Sequence, residues 1–164
     1  MSAAAPLVAI TRRREFAAAA APTGAPSRLI LAEAATPAMQ NSATRPPDTP
    51  FSVQSPDHLA TWVIGPGGSI VRHTRSGKTF TQKSGVNFEL LAASAPSPRA
   101  CWIVGRKGTI LRTRDGGGYW ENVVSPTTED IVHVRAADAD NAVVRTADGK
   151  SYATIDGGAT WNRQ

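Results

Sequence analysis

The chain has 164 residues and a net charge of +5, with eighteen Lys and Arg against thirteen Asp and Glu. That length corresponds to one domain, and so modest a charge, spread over both ends, reads as ordinary solvated surface, so no nucleic-acid partner is expected. A single cysteine, Cys101, excludes an intrachain disulfide framework, and no run of residues approaches the roughly 18 apolar positions of a membrane-spanning helix.

Residues 1–50 hold fifteen Ala and seven Pro, with Phe16 as their only aromatic. Such a segment has little to bury, and residues 1–49 are expected to be a disordered linker, with a short helix over Leu29–Ala35. Ala3–Ile10 is apolar, but its basic cluster Arg12–Arg14 follows the run, the reverse of a secretory signal. No signal peptide is therefore read here. The compartment stays open, since the chain is equally compatible with the tail of a longer, membrane-anchored protein.

From Phe51 onward the composition changes. This part holds every Trp and Tyr and nearly all the glycines, and it repeats. Trp62 and Trp102 are 40 apart, Gly68, Gly108 and Gly149 keep spacings of 40 and 41, and Phe80, Trp120 and Trp161 do the same. Three columns in register mark internal repeats of about 40 residues. Each repeat reads as four short strands of β-branched and aromatic residues cut by Gly, Pro, Asp and Asn. In the first repeat these fall at 51–54, 60–64, 69–74 and 79–83. In the second they are 88–93, 100–104, 109–113 and 119–124, and in the third 130–135, 141–145, 150–154 and 160–163. Gly67-Gly68, Lys107-Gly108 and Asp148-Gly149 sit where a tight hairpin turn needs positive φ.

The turn before the last aromatic is the most specific feature. Thr154, Asp156, Gly158, Thr160 and Trp161 fit the Asp-box pattern Ser/Thr-x-Asp-x-Gly-x-Thr-Trp at every fixed position. Thr113, Asp115, Gly117 and Trp120 fit it with Tyr119 in place of Thr, whereas His73–Phe80 is degenerate, with Arg75 at the Asp position. The Asp carboxylate can accept backbone N–H bonds and fix the hairpin, and the Trp can anchor it on its own sheet. The fold read from this pattern is all-β: three four-stranded propeller-type blades, at about 50–84, 85–125 and 126–164, forming an open or partial β-propeller. Such rings close with roughly four to eight blades. Three blades leave terminal faces uncovered, so self-association, toward a six-blade ring, or docking onto further domains is expected.

The run Trp102–Gly117 ending in Trp120, together with Trp62–Gly65 and Thr154–Gly158, resembles the repeat of the photosystem II stability/assembly factor-like family, whose members are Asp-box (BNR-like) β-propellers. The resemblance implies a non-enzymatic interaction or assembly module with a protein partner. Similar repeats also end anti-sigma-like proteins after an Ala/Pro-rich linker, which makes a sensor or regulatory tail one alternative. Sialidases carry Asp-boxes away from their active sites, which makes a truncated glycosidase fragment another.

No catalytic, cofactor-binding or metal-binding set is assembled from the residues themselves. Asp115 and Asp156 read as turn stabilisers. His58, His73 and His133 lack ligand-type neighbours at metal spacing. Gly116–Gly118 lacks the Lys-Ser/Thr and helix of a phosphate loop. Cys101 reads as a small buried hydrophobe. The remaining candidate is basic: Arg72 and Arg112 share a repeat position, and with Arg106 and Lys107 they are expected to form a patch for an acidic partner.

Overall fold

The computed structural model describes residues 49–164. The disorder expected for the Ala/Pro-rich segment and the helix expected over Leu29–Ala35 fall on residues 1–48, outside the described residues.

Alternation of apolar and polar residues sets the first sheet. In β1 (Phe51–Gln54) Phe51 and Val53 are buried, and in β2 (Ala60–Ile64) Ala60, Trp62 and Ile64 are buried. With β3 (Ser69–Thr74) and β4 (Thr79–Lys83) these form an antiparallel sheet ordered β1-β2-β3-β4. The second sheet is β5 (Leu90–Ser94), β6 (Cys101–Gly105), β7 (Ile110–Thr113) and β8 (Glu121–Asn122). The third is β9 (Ile131–Ala136), β10 (Ala142–Thr146), β11 (Ser151–Thr154) and β12 (Asn162–Arg163). These sheets are the three blades, numbered here in chain order. Strands β8 and β12 are shorter than expected because the residues before them belong to the preceding turns.

Blade 2 lies between the other two, and its continuous apolar runs follow from that. Every residue of β5, β6 and β7 is buried, as a sheet covered on both faces requires. One core lies between blades 1 and 2, where Trp62, Ile64 and Ile70 meet Leu90, Cys101, Ile103, Leu111 and Trp120. The other lies between blades 2 and 3, where Trp102, Val104, Ile110 and Val123 meet Ile131, Val134, Ala142 and Val144. Near the inner strands the Ala136 N–H donates to Ser94 Oγ at 3.0 Å, a buried bond between blades 2 and 3.

The hairpin turns follow the glycines. Gly65 N–H donates to Ser69 O and Gly105 N–H to Thr109 O, each at 2.9 Å, across short helical turns at Pro66–Gly68 and Arg106–Gly108. Lys107 takes φ 53° where blade 1 has Gly67.

One column departs from the expected repeat. The register pairs Arg72 with Phe80 but Arg112 with Glu121, so the turn before β4 is one residue shorter than the turn before β8. In place of an Asp-box, blade 1 has a Thr74–Lys78 turn, closed by Thr74 N–H to Lys78 O and Gly77 N–H to Thr74 O at 2.9 Å each. The same turn recurs in blade 3 at Thr146–Lys150. Because strand side chains alternate in direction, the missing residue turns Phe80 to the face opposite that of Trp120. Thr79 then occupies the tryptophan column, and Phe80 is left 45% exposed.

Two glycines separate local strain from joint packing. Gly77 and Gly158 have φ of 82° and 88°; a Cβ at Gly77 meets nothing within 4 Å, whereas one at Gly158 overlaps the Val123 side chain. Gly77→Ala is expected to cost about 1 kcal/mol from backbone strain alone, and Gly158→Ala about 3 kcal/mol from strain plus overpacking. Urea unfolding of both variants checks the difference.

Candidate functional site

The two Asp-boxes are built from the same bonds. In blade 2 the Thr113 hydroxyl donates to Asp115 Oδ1 at 2.8 Å and accepts from Gly117 N–H at 2.7 Å, while Tyr119 N–H donates to Asp115 Oδ1 at 3.0 Å. In blade 3 Thr154 donates to Asp156 at 2.8 Å, Gly158 N–H donates to Thr154 at 2.8 Å, and Thr160 N–H donates to Asp156 at 2.9 Å. Thr160 adds a hydroxyl bond to Asp156 Oδ2 at 2.6 Å, which Tyr119 cannot supply in blade 2. These donors favour the carboxylate. The Thr160 hydroxyl and N–H bring Asp156 down to about 2, and the Tyr119 N–H lowers Asp115. Both acids are thus engaged in holding turns.

The arginines at the shared repeat position join blades. The Arg72 guanidinium lies 5.6 Å from the Trp62 ring centroid and donates to Pro98 O of blade 2 at 3.0 Å. Arg112 lies 5.4 Å from the Trp102 centroid and donates to Ala139 O of blade 3 at 3.2 Å, with ion pairs to Glu121 and Asp140. Each guanidinium also sits beneath the next blade's Asp-box turn, since a Cβ on Gly116 would meet Arg72 and one on Gly157 would overlap Arg112. The outer strands follow suit. Gln82 Nε2 donates to Gly116 O at 2.8 Å and Gln82 Oε1 accepts from Trp120 Nε1 at 3.2 Å; Trp161 Nε1 donates to Val124 O at 2.9 Å.

The expected basic patch is therefore rearranged. Arg72 and Arg112 do fall on one side of the array, as their repeat position requires, but Arg112 is only 5% exposed and its charge is used within the joint. Arg106 and Lys107 lie at the other end of the β6–β7 hairpin from the Asp-box. Arg106 bridges Glu89 at 2.7 Å and Asp130 at 2.8 Å, and Lys107 Nζ lies 5.2 Å from the Phe88 ring centroid. The structure does not bring the four cations onto one surface.

What sequence reasoning missed is the cleft left by the short blade 1 turn. Phe80, Gln82 and Arg72 face the Asp115–Gly118 turn of blade 2 across an open space of about 570 Å³. The signal was present in the one-residue deficit between Arg72 and Phe80, hidden by aligning Phe80 with Trp120. Elsewhere, burial raises the Cys101 thiol far above its ordinary range, His58 bonds Gln54 at 2.7 Å and His73 bonds Thr79 at 3.0 Å. Among the described residues no three His, Cys, Asp or Glu side chains converge on a metal position, and no helix is long and apolar enough to cross a membrane.

Four-stranded blades, paired Asp-boxes and arginine-bonded joints define a protein of Asp-box β-propeller blades. Residues 48–164 match the family model of the photosynthesis system II assembly factor YCF48, and the chain belongs to that family. Solved structures share the fold. The chain is 24% identical to YCF48 from Cyanidioschyzon merolae, with a TM-score of 0.60 over 77% of this chain and 40% of that one. It is 20% identical to a YCF48 bound to D1 peptide, with a TM-score of 0.56 over 75% of this chain and 46% of that one. The chain thus spans less than half the length of either structure. No curated protein is significantly similar to it.

The turn carboxylates of blade 3, Asp156 in its Asp-box and Asp148 in the Thr146–Lys150 turn, carry a pH signature. Asp156 and Asp148 are each lowered from 3.8 to about 2 in the fold. A group depressed by folding stabilises above its unfolded value and loses that contribution as pH falls through its folded value. Thermal stability is expected to hold above pH ~5 and to drop between pH ~4 and ~2. Asp115→Asn with Asp156→Asn should lower the melting temperature at pH 7 and flatten that drop, as melting curves across pH would show.

Proposed function

We propose that the chain is a non-catalytic assembly module that holds an extended segment of a partner protein in the cleft between blades 1 and 2. The observation that carries this reading is Phe80. A large aromatic ring stands 45% exposed beside Gln82 and Arg72, opposite a rigid Asp-box turn. An exposed ring rimmed by polar groups is the composition of a peptide-anchoring site. Family membership supports the same class of function, and a peptide is the ligand in one of the structures that share the fold.

The non-catalytic part rests on how the candidate groups are used. Asp115 and Asp156 accept turn N–H bonds, and Cys101 is buried with a raised thiol pKa. None of them is presented to a substrate as an acid, base or nucleophile.

Fluorescence anisotropy of the full chain with the D1 peptide of that relative tests the reading. Saturable binding is expected, and Phe80→Ser should weaken it about tenfold or more while leaving the melting temperature unchanged. Absence of binding, or equal binding by the Phe80→Ser variant, would contradict it.

A further inference from the structure

The outward face of blade 3 differs from every other blade face. At the two joints, the Trp column holds Trp62 and Trp102 and the Arg column holds Arg72 and Arg112. The register places Val143 and Ala153 in those columns of blade 3. The joint residues are thus absent there, leaving a shallow apolar strip in which Val143 is 42% and Ile155 76% exposed, over a cavity of about 260 Å³. Around it the same face carries Arg135 on β9, paired with Val143, and Arg145 on β10, paired with His133. Burial and then Arg145 hold His133 below its usual range, so the permanent charges of the face are the two arginines. Neither is engaged in an ion pair among the described residues.

A second copy docking head to tail does not answer this chemistry. The outward face of blade 1 consists of Ser52, Val63, Val71 and Thr81 in one row and Gln54, Thr61, His73 and Thr79 in the next, with Ser69 and Lys83 beyond. It offers no carboxylate to Arg135 or Arg145, and it lacks the Asp-box turn and tryptophan that receive a joint arginine. The one permanent charge among those residues, Lys83, has the same sign as the two arginines.

We propose that the blade 3 face docks an acidic extended segment of a partner protein, with carboxylates at alternate positions and an apolar side chain over Val143 and Ala153. Arg135 and Arg145 are diagonal neighbours on adjacent strands, about 7–8 Å apart at the backbone. Alternate residues of an extended chain are about 6.5–7 Å apart and point the same way. A carboxylate-x-carboxylate pattern therefore reaches both guanidiniums at once, each as a charge-assisted bond. The proposal goes beyond the cleft reading and uses a different surface, so each can fail alone.

The test is fluorescence anisotropy of the full chain with two labelled peptides, one alternating Glu and Val and the other Lys and Val. Saturable binding of the Glu peptide alone is expected, weakening as salt rises. Arg135→Glu with Arg145→Glu should weaken it tenfold or more, Arg135→Lys with Arg145→Lys should largely retain it, and Phe80→Ser should leave it unchanged. Equal binding of both peptides, or indifference to the Arg→Glu pair, would overturn the proposal. So would a dimer in sedimentation velocity that the Arg→Glu pair dissolves, since a second copy would then be the occupant.

Discussion

A guanidinium stacked on an indole of its own blade and bonded to a loop carbonyl of the next is the interaction on which this array depends. A four-stranded sheet has two faces, and a small blade cannot keep both apolar unless neighbours cover them. Arg72 and Arg112 make that cover specific. Each is too polar to be buried without partners, and the partners are supplied by the following blade: Pro98 O in one case, Ala139 O and Asp140 in the other. The stacked indole supplies the other surface, with cation–π attraction strengthened by desolvation. The Asp-box turn completes the socket, since its glycines leave room for the arginine below.

The two joints differ in how completely they are satisfied. Trp102 Nε1 donates to Asp138 O at 3.0 Å, and Arg112 has two carboxylates near it. Trp62 Nε1 and Arg72 Nε have no protein acceptor, against Arg112 Nε alone at the other joint, and Arg72 makes no ion pair among the described residues. A buried donor without a protein partner weakens its joint, so the connection between blades 1 and 2 is the softer one. That is also where blade 1 lacks its Asp-box and Phe80 opens toward the cleft. Reduced rigidity and the proposed peptide site thus fall at the same joint.

Much of this was legible in the residues. Strand positions in blade 1 follow directly from alternation, and the Asp-box turns follow from Thr-x-Asp-x-Gly. The family follows from the Trp102–Trp120 run. The misreadings came from charge and register, which local pattern does not fix. Arg72 and Arg112 looked like surface cations because a sequence shows a charge but not the indole and carbonyl that engage it, half-burying Arg72 and burying Arg112. Phe80 looked like the counterpart of Trp120 because a shift of one residue keeps the spacing plausible while reversing the face. The Thr74–Lys78 turn could have exposed that error, since Thr146–Lys150 repeats its Thr, Gly and Lys. The unlike outward faces of blades 1 and 3 were out of reach, because they follow from strand pairing and not from composition.

Native-state hydrogen exchange on Trp102→Val with Arg112→Ala tests the joint account most directly, because it gives blade 2 residues of the kind found on the outward face of blade 3. Removing a buried stacked pair and leaving its carbonyl and carboxylate partners exposed should cost about 3 kcal/mol. The account predicts that amides of β9–β12 lose protection by roughly a hundredfold while those of β2 and β3 keep theirs. Uniform loss across all three blades, or undiminished protection in blade 3, would contradict it.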